Sequence, residues 1–144
     1  MIQLGTFGVI MKFAINLESD ALEFYKTCRE NIDNKEIDEL FTQIINDADK
    51  RLKILERVRR ENVTEMILEP IKDLDSDPFQ IEPFLLHDPS DSKICEIAVR
   101  NERRRLDFFE VAAEKIEFLI EASTAFERLA DENREYLELM IKYT

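Results

Sequence analysis

A short pattern occurs twice in this chain, and each copy places one glutamate inside a stripe of mostly apolar residues. The first copy, at 14–25, reads Ala-Ile-Asn-Leu-Glu-Ser-Asp-Ala-Leu-Glu-Phe-Tyr, and the second, at 98–109, reads Ala-Val-Arg-Asn-Glu-Arg-Arg-Arg-Leu-Asp-Phe-Phe. Both copies begin with alanine, have a glutamate four residues later, and end in an aromatic pair six and seven residues beyond that glutamate. Glu18 and Glu102 are therefore equivalent positions of an internal repeat.

At helical spacing, both glutamates fall on faces that should form a core. Positions 7, 11, 14, 18, 21, 25 and 28 read Phe, Met, Ala, Glu, Ala, Tyr and Cys, and positions 94, 98, 102, 105, 109, 112 and 116 read Ile, Ala, Glu, Arg, Phe, Ala and Ile. A carboxylate on a core face is costly to bury unless another group compensates its charge. We therefore expect Glu18 and Glu102 to have compensating partners elsewhere in the chain.

The composition and the spacing of apolar residues predict an all-α protein. The chain has 144 residues, about one domain, and only two Gly, four Pro and 36% charged residues, spread through long periodic stretches. Thr6 is the expected N-cap of the first helix, and Asp33 with Glu36 forms a capping box that opens the second. The predicted helices run from about Thr6 to Asn31, from the Asp33 cap to about Glu61, from Ser90 or Ser92 to about Glu114, and from about Phe118 to Lys142. The inner stripe predicted for the second helix is Ile37, Phe41, Ile44, Ala48, Arg51, Leu55 and Val58, and that predicted for the fourth is Ala122, Phe126, Leu129, Asn133, Tyr136 and Met140.

The segment 62–89 breaks the helical pattern, because all four prolines of the chain fall within it. A helix of about 26 residues is about 39 Å long, whereas a loop of about 28 residues reaches roughly 90 Å. The segment can therefore cross the full length of a helical bundle. This predicts a single domain, 1–144, in which two antiparallel helix hairpins joined by a long crossover form a four-helix bundle. The apolar residues expected to cover the core along the crossover are Phe79, Ile81, Phe84 and Leu85.

The charge and the cysteine content exclude several classes of function. The net charge of −12 argues against nucleic acid or an anionic membrane as a partner, since both attract basic surfaces. The best basic cluster, the run 103–105, is interpreted as a solvated helix face. Cys28 and Cys95 are too few and too far apart for a disulfide framework or a Cys-x-x-Cys site, and they are expected to be reduced core thiols.

The N-terminal apolar stretch, 4–15, contains Lys12 and is too short to cross a bilayer. It also lacks the basic start and the small-residue cleavage site of a signal peptide. A cytoplasmic protein is therefore expected. The stripes rich in Phe, Ile and Leu are interpreted as plain core rather than as the walls of a ligand cavity.

This organisation resembles the rubrerythrin-like branch of the ferritin-like superfamily, over nearly the whole chain apart from the crossover. In helices 1 and 3, members of that branch carry a glutamate followed six and seven residues later by an aromatic pair. Here these are Glu18 with the pair at 24–25 and Glu102 with the pair at 108–109. The resemblance implies a ferritin-like four-helix bundle and, as the usual activity, peroxide reduction or ferroxidase chemistry at a di-iron centre.

The metal ligands that the resemblance implies are mostly absent. In helices 2 and 4 the family carries Leu-Phe-x-x-Leu-Ala-x-x-Glu-x-x-His, and this chain starts the pattern as Leu-Phe-x-x-Ile and Ala-Phe-x-x-Leu. An ungapped match places Ala48 and Asn133 where the family has Glu, and Arg51 and Tyr136 where it has His. Four of the six implied ligand positions are thus lost.

Arg51 is the group expected to compensate the two glutamates. Its guanidinium stays charged when buried and can fork two carboxylates, so we expect it to bridge Glu18 and Glu102 where the family holds iron. Asn133 and Tyr136 would satisfy the remaining oxygens and complete one polar network on four helices. The alternative is that Arg51 reaches out from the seam to solvent.

A reorganised metal site is the competing interpretation. Asp47 and Asp49 flank the first lost glutamate position, and a one-residue helical shift would bring one of them inward beside Glu18 and Glu102. Three carboxylates make a hard, oxygen-only site that suits manganese, magnesium or calcium, and iron or manganese would then be the cofactor. The single histidine, His87, lies in the crossover and is interpreted as an ordinary loop residue.

The function expected from the sequence is non-catalytic. The chain keeps the residues of the fold and lacks most ligands of the di-iron chemistry, which leaves a structural or interaction role without a cofactor. A homodimer is expected, because members of the resembled family commonly pair through helix faces, and a further protein partner is expected without being identified. The competing interpretation predicts a rubrerythrin-like oxidoreductase with a reorganised carboxylate site.

Overall fold

The helices lie close to their predicted positions. The computed structural model describes residues 2–62, 64 and 70–144. Within these ranges the chain forms four α-helices and no β-strand, apart from one isolated bridge between Gln3 and Asp75, so the predicted all-α class is confirmed. The α-helices are α1 (Phe7–Asn31), α2 (Lys35–Glu61), α3 (Asp91–Lys115) and α4 (Ile120–Met140), and short 3-10 turns cover Asp77–Phe79 and Ile141–Tyr143.

Side-chain caps begin α1, α2 and α3. Thr6 caps α1 as predicted, and Ser90, one of the two predicted candidates, caps α3. The predicted Asp33 cap of α2 is wrong, since the Asn34 side chain accepts the hydrogen bond from the first turn. The backbone N–H groups of Asp33 and Asn34 donate instead to the Asp91 carboxylate, at 3.0 and 2.8 Å. This contact joins the turn between α1 and α2 to the start of α3.

Each helix buries the stripe that its spacing predicts. The predicted inner positions of α1, α3 and α4 are all buried, including both repeat glutamates. Cys28 and Cys95 are buried free thiols, as predicted. A helix with one such stripe must pack that face against its neighbours. In α2 the buried residues coincide with the predicted stripe: Ile37, Phe41, Ile44, Ala48, Arg51, Leu55 and Val58.

The four helices pack as two pairs that share a core. α1 lies mainly against α2 and α3 mainly against α4, with further contacts between α2 and α4 and between α1 and α3. The core consists of two apolar clusters, one containing Phe7 and Phe126 and the other containing Phe41 and Ile94. On α1, α2 and α3 the buried charged residues lie between these clusters, at one level of the bundle.

The segment that precedes α3 contacts the bundle at several points. The backbone N–H of Leu4 donates to the carbonyl of Leu74 at 2.7 Å, beside the start of α1. The Asn101 side chain on α3 accepts from the N–H of Glu82 at 2.8 Å and donates to the carbonyl of Glu82 at 3.0 Å. These bonds tie the segment to the residues before α1 at one end and to α3 further along.

Three of the four predicted covering residues of this segment pack on the core. Phe79 is buried, and Ile81 and Phe84 are half-buried against the apolar clusters. Leu85 is 78% exposed, so the prediction that it covers apolar surface is wrong. Residues 63 and 65–69 of the predicted crossover 62–89 lie outside the described residues. Among the described residues, every helix is too short or too polar to cross a membrane.

Candidate functional site

A group of polar side chains from all four helices meets between the two apolar clusters. These side chains are all buried, and the arginines among them are only 1% exposed. Hydrogen bonds connect them into one group, which we call the buried network. Its members are Glu18 and Tyr25 of α1, Arg51 of α2, Glu102 and Arg105 of α3, and Asn133 of α4.

Glu18 accepts all of its hydrogen bonds from arginines, at a single carboxylate oxygen. Its Oε1 accepts from Arg51 Nε at 2.9 Å, from Arg51 Nη2 at 2.6 Å and from Arg105 Nη2 at 2.7 Å. Burial by itself raises the pKa of Glu18, but the Arg105 and Arg51 guanidiniums outweigh that effect and lower the pKa from 4.5 to about 2. Glu18 therefore remains ionised at neutral pH, as a buried carboxylate between two cations.

Arg105 bridges the two glutamates of the repeat, which corrects the prediction that Arg51 does so. Arg105 Nη1 donates to Glu102 Oε2 at 2.6 Å, and its Nη2 donates to Glu18 Oε1. Arg105 lies one turn after Glu102 on the same face of α3, so its guanidinium reaches Glu102 within the helix. Glu18, on the facing side of α1, accepts the second hydrogen bond and completes the bridge. The prediction of a solvated face for 103–105 is therefore wrong at this one residue, which is 1% exposed.

Arg51 is buried and belongs to the buried network, so it does not reach out to solvent. Beyond Glu18, its Nη2 donates to Asn133 Oδ1 at 2.9 Å, and its guanidinium lies 5.4 Å from the centre of the Phe109 ring. Its Nη1 donates to the carbonyl of Leu129 at 3.1 Å and to Glu132 Oε1 at 3.0 Å. The Glu132 side chain is 44% exposed, so Glu132 lies at the solvent-facing edge of the buried network.

Besides the hydrogen bond from Arg105, Glu102 accepts hydrogen bonds from two neutral side chains. Asn133 Nδ2 donates to its Oε1 at 2.8 Å, and the Tyr25 hydroxyl donates to its Oε2 at 2.7 Å. Burial and the Glu102 charge both raise the pKa of Tyr25, so the phenol stays protonated as a donor. The sequence placed Tyr25 on the inner stripe but did not identify it as a partner of Glu102.

Tyr136 and the two candidate substitute ligands lie outside the buried network. The Tyr136 hydroxyl donates to Asp47 Oδ2 at 2.6 Å, so the prediction that Tyr136 completes the network is wrong. Asp49 is exposed and pairs with Lys53 one turn along α2, at 3.0 Å. Neither Asp47 nor Asp49 turns inward beside Glu18, because each is already bonded on its own side of α2.

The donor set does not fit a di-iron centre. Glu18 and Glu102 each accept from an arginine, and a metal ion between them would meet the positive charge of Arg105. Within the described residues, no group of three or more His, Cys, Asp or Glu side chains is placed to hold a metal ion. His87 is exposed on the segment before α3, as expected of a loop residue.

The charges of the buried network balance. Two carboxylates face two guanidiniums, and Tyr25 and Asn133 add neutral hydrogen bonds. Within the described residues, Glu18 Oε2 and Arg105 Nε are the buried side-chain atoms without a hydrogen-bond partner. With Glu18 held ionised and Tyr25 held protonated, neither group is suited to acid–base catalysis near pH 7.

The fold and the site together define an all-α four-helix protein with a buried arginine–glutamate network. A scan against models of protein families gives no match, and a search of curated proteins finds no relative.

Proposed function

We propose that this chain is a structural or interaction protein of the ferritin-like class, in which the buried network takes the place of a di-iron centre. One observation carries the proposal: Glu18 Oε1 accepts three hydrogen bonds from Arg51 and Arg105. These cations compensate the carboxylate charge that a metal would otherwise neutralise. The bundle then serves as a rigid scaffold for a protein-binding surface and does not catalyse a reaction.

The register of the helices supports the ferritin-like part of the proposal. The positions that match the family ligands on the four helices include Glu18, Arg51, Glu102 and Asn133, and all four belong to the buried network. Residues at these four matching positions thus meet at one level of the bundle, as the ligands of a ferritin-like site would. The contacts of the segment 70–90 with the residues before α1 and with α3 are also those expected of a long crossover.

The charge of the chain supports an interaction role with particular partners. A net charge of −12 favours neutral or basic protein surfaces and disfavours nucleic acid. We expect a homodimer as the basic assembly. Sedimentation velocity over a range of concentrations tests this, and a monomer throughout that range would refute the homodimer.

Metal uptake separates this proposal from a reorganised oxidoreductase. Untagged protein is incubated anaerobically with ferrous iron and with manganese, desalted, and analysed for bound metal. The proposal predicts background levels in the wild type and in Glu18→Ala alike. Stoichiometric metal that is lost in Glu18→Ala but kept in Glu23→Ala, an exposed glutamate of the same helix, would overturn it.

A further inference from the structure

The two cysteines of the chain lie on adjacent helices of the bundle. Cys28 is on α1 and Cys95 is on α3, which packs against α1. Both are buried free thiols, and both belong to the apolar cluster that contains Phe41 and Ile94. Neither thiol takes part in the buried network, and the proposed structural role makes no use of them.

Two contacts define how α1 and α3 pass each other. The Arg105 guanidinium of α3 donates to Glu18 of α1 at 2.7 Å. Further along the bundle, the backbone N–H of Asp33, just after α1, donates to the Asp91 carboxylate at the start of α3, at 3.0 Å. The contact positions rise along α1 and fall along α3, so the two helices are antiparallel. We call these two contacts the inner contact and the outer contact.

Cys28 and Cys95 lie between the inner and the outer contact, at matching distances from each. Cys28 is ten residues beyond the inner contact on α1, and Cys95 is ten residues beyond it on α3. The outer contact is a further five residues from Cys28 and a further four from Cys95. Ten residues of helix span about 15 Å, so both cysteines lie at the same level of the bundle. Because both are buried on inner faces, we expect their side chains to face each other.

This register brings the two cysteines within reach of a disulfide. The axes of packed helices are about 8–10 Å apart, and each Cα atom lies about 2.3 Å from its own axis. Facing Cα atoms are then within roughly 6 Å of each other, and a disulfide needs a separation of roughly 4.4–6.8 Å. Burial raises the pKa of the Cys28 thiol, and the charge of a Cys95 thiolate raises that pKa further. Such an effect of one sulfur on the other requires the two to be close.

We propose that Cys28 and Cys95 are a redox-sensitive pair that forms a disulfide between α1 and α3. The disulfide adds a second covalent link between the two helix hairpins, which the chain otherwise joins through the segment before α3. The stability of the bundle then depends on the redox state of its surroundings. This is a property that the proposed structural role does not include.

A small disulfide such as oxidised glutathione supplies the oxidation. One cysteine thiolate attacks a glutathione sulfur, which forms a mixed disulfide and releases one glutathione thiolate. The second cysteine thiolate attacks the cysteine sulfur of the mixed disulfide, forms the Cys28–Cys95 bond and releases the other glutathione thiolate. The protein loses two electrons and two protons, and the oxidised glutathione gains them as two thiols. Burial raises the pKa of both thiols, so the exchange is slow in the native protein.

The test is refolding of the urea-unfolded chain in a glutathione redox buffer, because the native thiols are shielded. Free thiols are then blocked with a maleimide, and the mass of the intact chain is measured. We expect a monomer without maleimide, lighter than the reduced chain by the mass of two hydrogen atoms. Because the disulfide closes a long loop of the unfolded chain, the urea midpoint of the oxidised protein should exceed that of the reduced protein by roughly 1–2 M.

A variant with a displaced cysteine is the matched control. Cys28→Ala combined with Ala21→Cys keeps two thiols on the same buried faces, but it moves the α1 thiol two turns, about 10 Å, from the level of Cys95. This variant should keep two cysteines that carry either maleimide or glutathione. Cys28→Ala alone removes the pair, so its urea midpoint should be the same in the reducing and the oxidising buffer.

Three results would overturn the proposal. They are a wild-type chain that keeps free thiols or mixed disulfides after refolding, an equal yield of disulfide in the displaced variant, and an oxidised chain that is no more resistant to urea than the reduced chain. Covalent dimers as the main product would also overturn it, because the cysteines would then pair between chains and not across α1 and α3.

Discussion

Replacement of Arg105 by methionine is the most direct test of the buried network. Methionine is unbranched, flexible and shorter than arginine, and it fills irregular apolar gaps well, so the substitution removes the charge while keeping an apolar side chain in the core. It deletes the bonds to Glu102 at 2.6 Å and to Glu18 at 2.7 Å. Two buried carboxylates then share one guanidinium, that of Arg51.

The expected loss of stability is large because the remaining charges are buried. Removing one partner of a buried ion pair costs about 3–5 kcal/mol, against a total of about 5–15 kcal/mol for a typical domain. Arg105→Met should therefore fold but unfold at a much lower urea concentration than the wild type. A carboxylate that loses its cation has a raised native pKa, so the difference should narrow as the pH falls from 7 to 5.

A double-mutant cycle with Glu102→Gln separates the ionic contribution from a general effect on the core. The double variant restores the balance of one carboxylate, Glu18, with one guanidinium, Arg51. Its loss should be smaller than the sum of the single losses by about 1–3 kcal/mol. Urea unfolding followed by far-UV circular dichroism measures each free energy by linear extrapolation. A loss below about 1 kcal/mol in Arg105→Met, or additive losses in the cycle, would refute the reasoning.

Three further predictions follow from the same contacts. Because the pKa of Glu18 is about 2 when folded and 4.5 when free, stability should be full above pH 5 and fall by about 3 kcal/mol as the pH drops to 2. Urea midpoints across this range should show the fall in the wild type and a flatter profile in Glu18→Gln. Tyr136→Phe should lose about 1 kcal/mol with its partly buried hydrogen bond to Asp47 of α2, whereas Tyr143→Phe, whose hydroxyl bond is exposed, should lose little. Burial raises the pKa of the Cys28 thiol, and it raises that of Cys95 to about 11. Both thiols should therefore react with an aromatic disulfide reagent only after unfolding, and fast labelling of the native protein, seen by absorbance, would contradict this.

The inner faces of the helices could be predicted because they depend on local periodicity. The α2 stripe from Ile37 to Val58 contains every buried residue of that helix, since a 3.6-residue repeat selects one face whatever the neighbours are. The residue that caps the N-terminus of α2 is harder to predict from local sequence. Asp33 and Asn34 are both good N-cap residues, and the choice depends on Asp91, which is distant in sequence and accepts from both of their N–H groups.

The members of the buried network were partly predictable, but their pairing was not. Helical spacing places Arg105 on the same stripe as Glu102, yet a run of three arginines is usually solvated. Which arginine bridges the glutamates depends on the separation of α1 and α3, and no sequence pattern specifies that distance. The same limit applies to Tyr136, whose bond to Asp47 depends on how α4 is rotated against α2.

The glutamates of the buried network follow the repeat between the two halves of the chain, but its arginines do not. Arg105 of α3 occupies the position equivalent to Ala21 of α1, and the residue equivalent to Arg51 in the second half is Tyr136. Each half of the chain therefore supplies one glutamate and one arginine, but the arginine comes from the second helix of the first pair, α2, and from the first helix of the second pair, α3. Both guanidiniums donate to the same atom, Glu18 Oε1, whereas only one donates to Glu102. Two arginines directed at one carboxylate hold Glu18 ionised, while one arginine and two neutral donors satisfy Glu102.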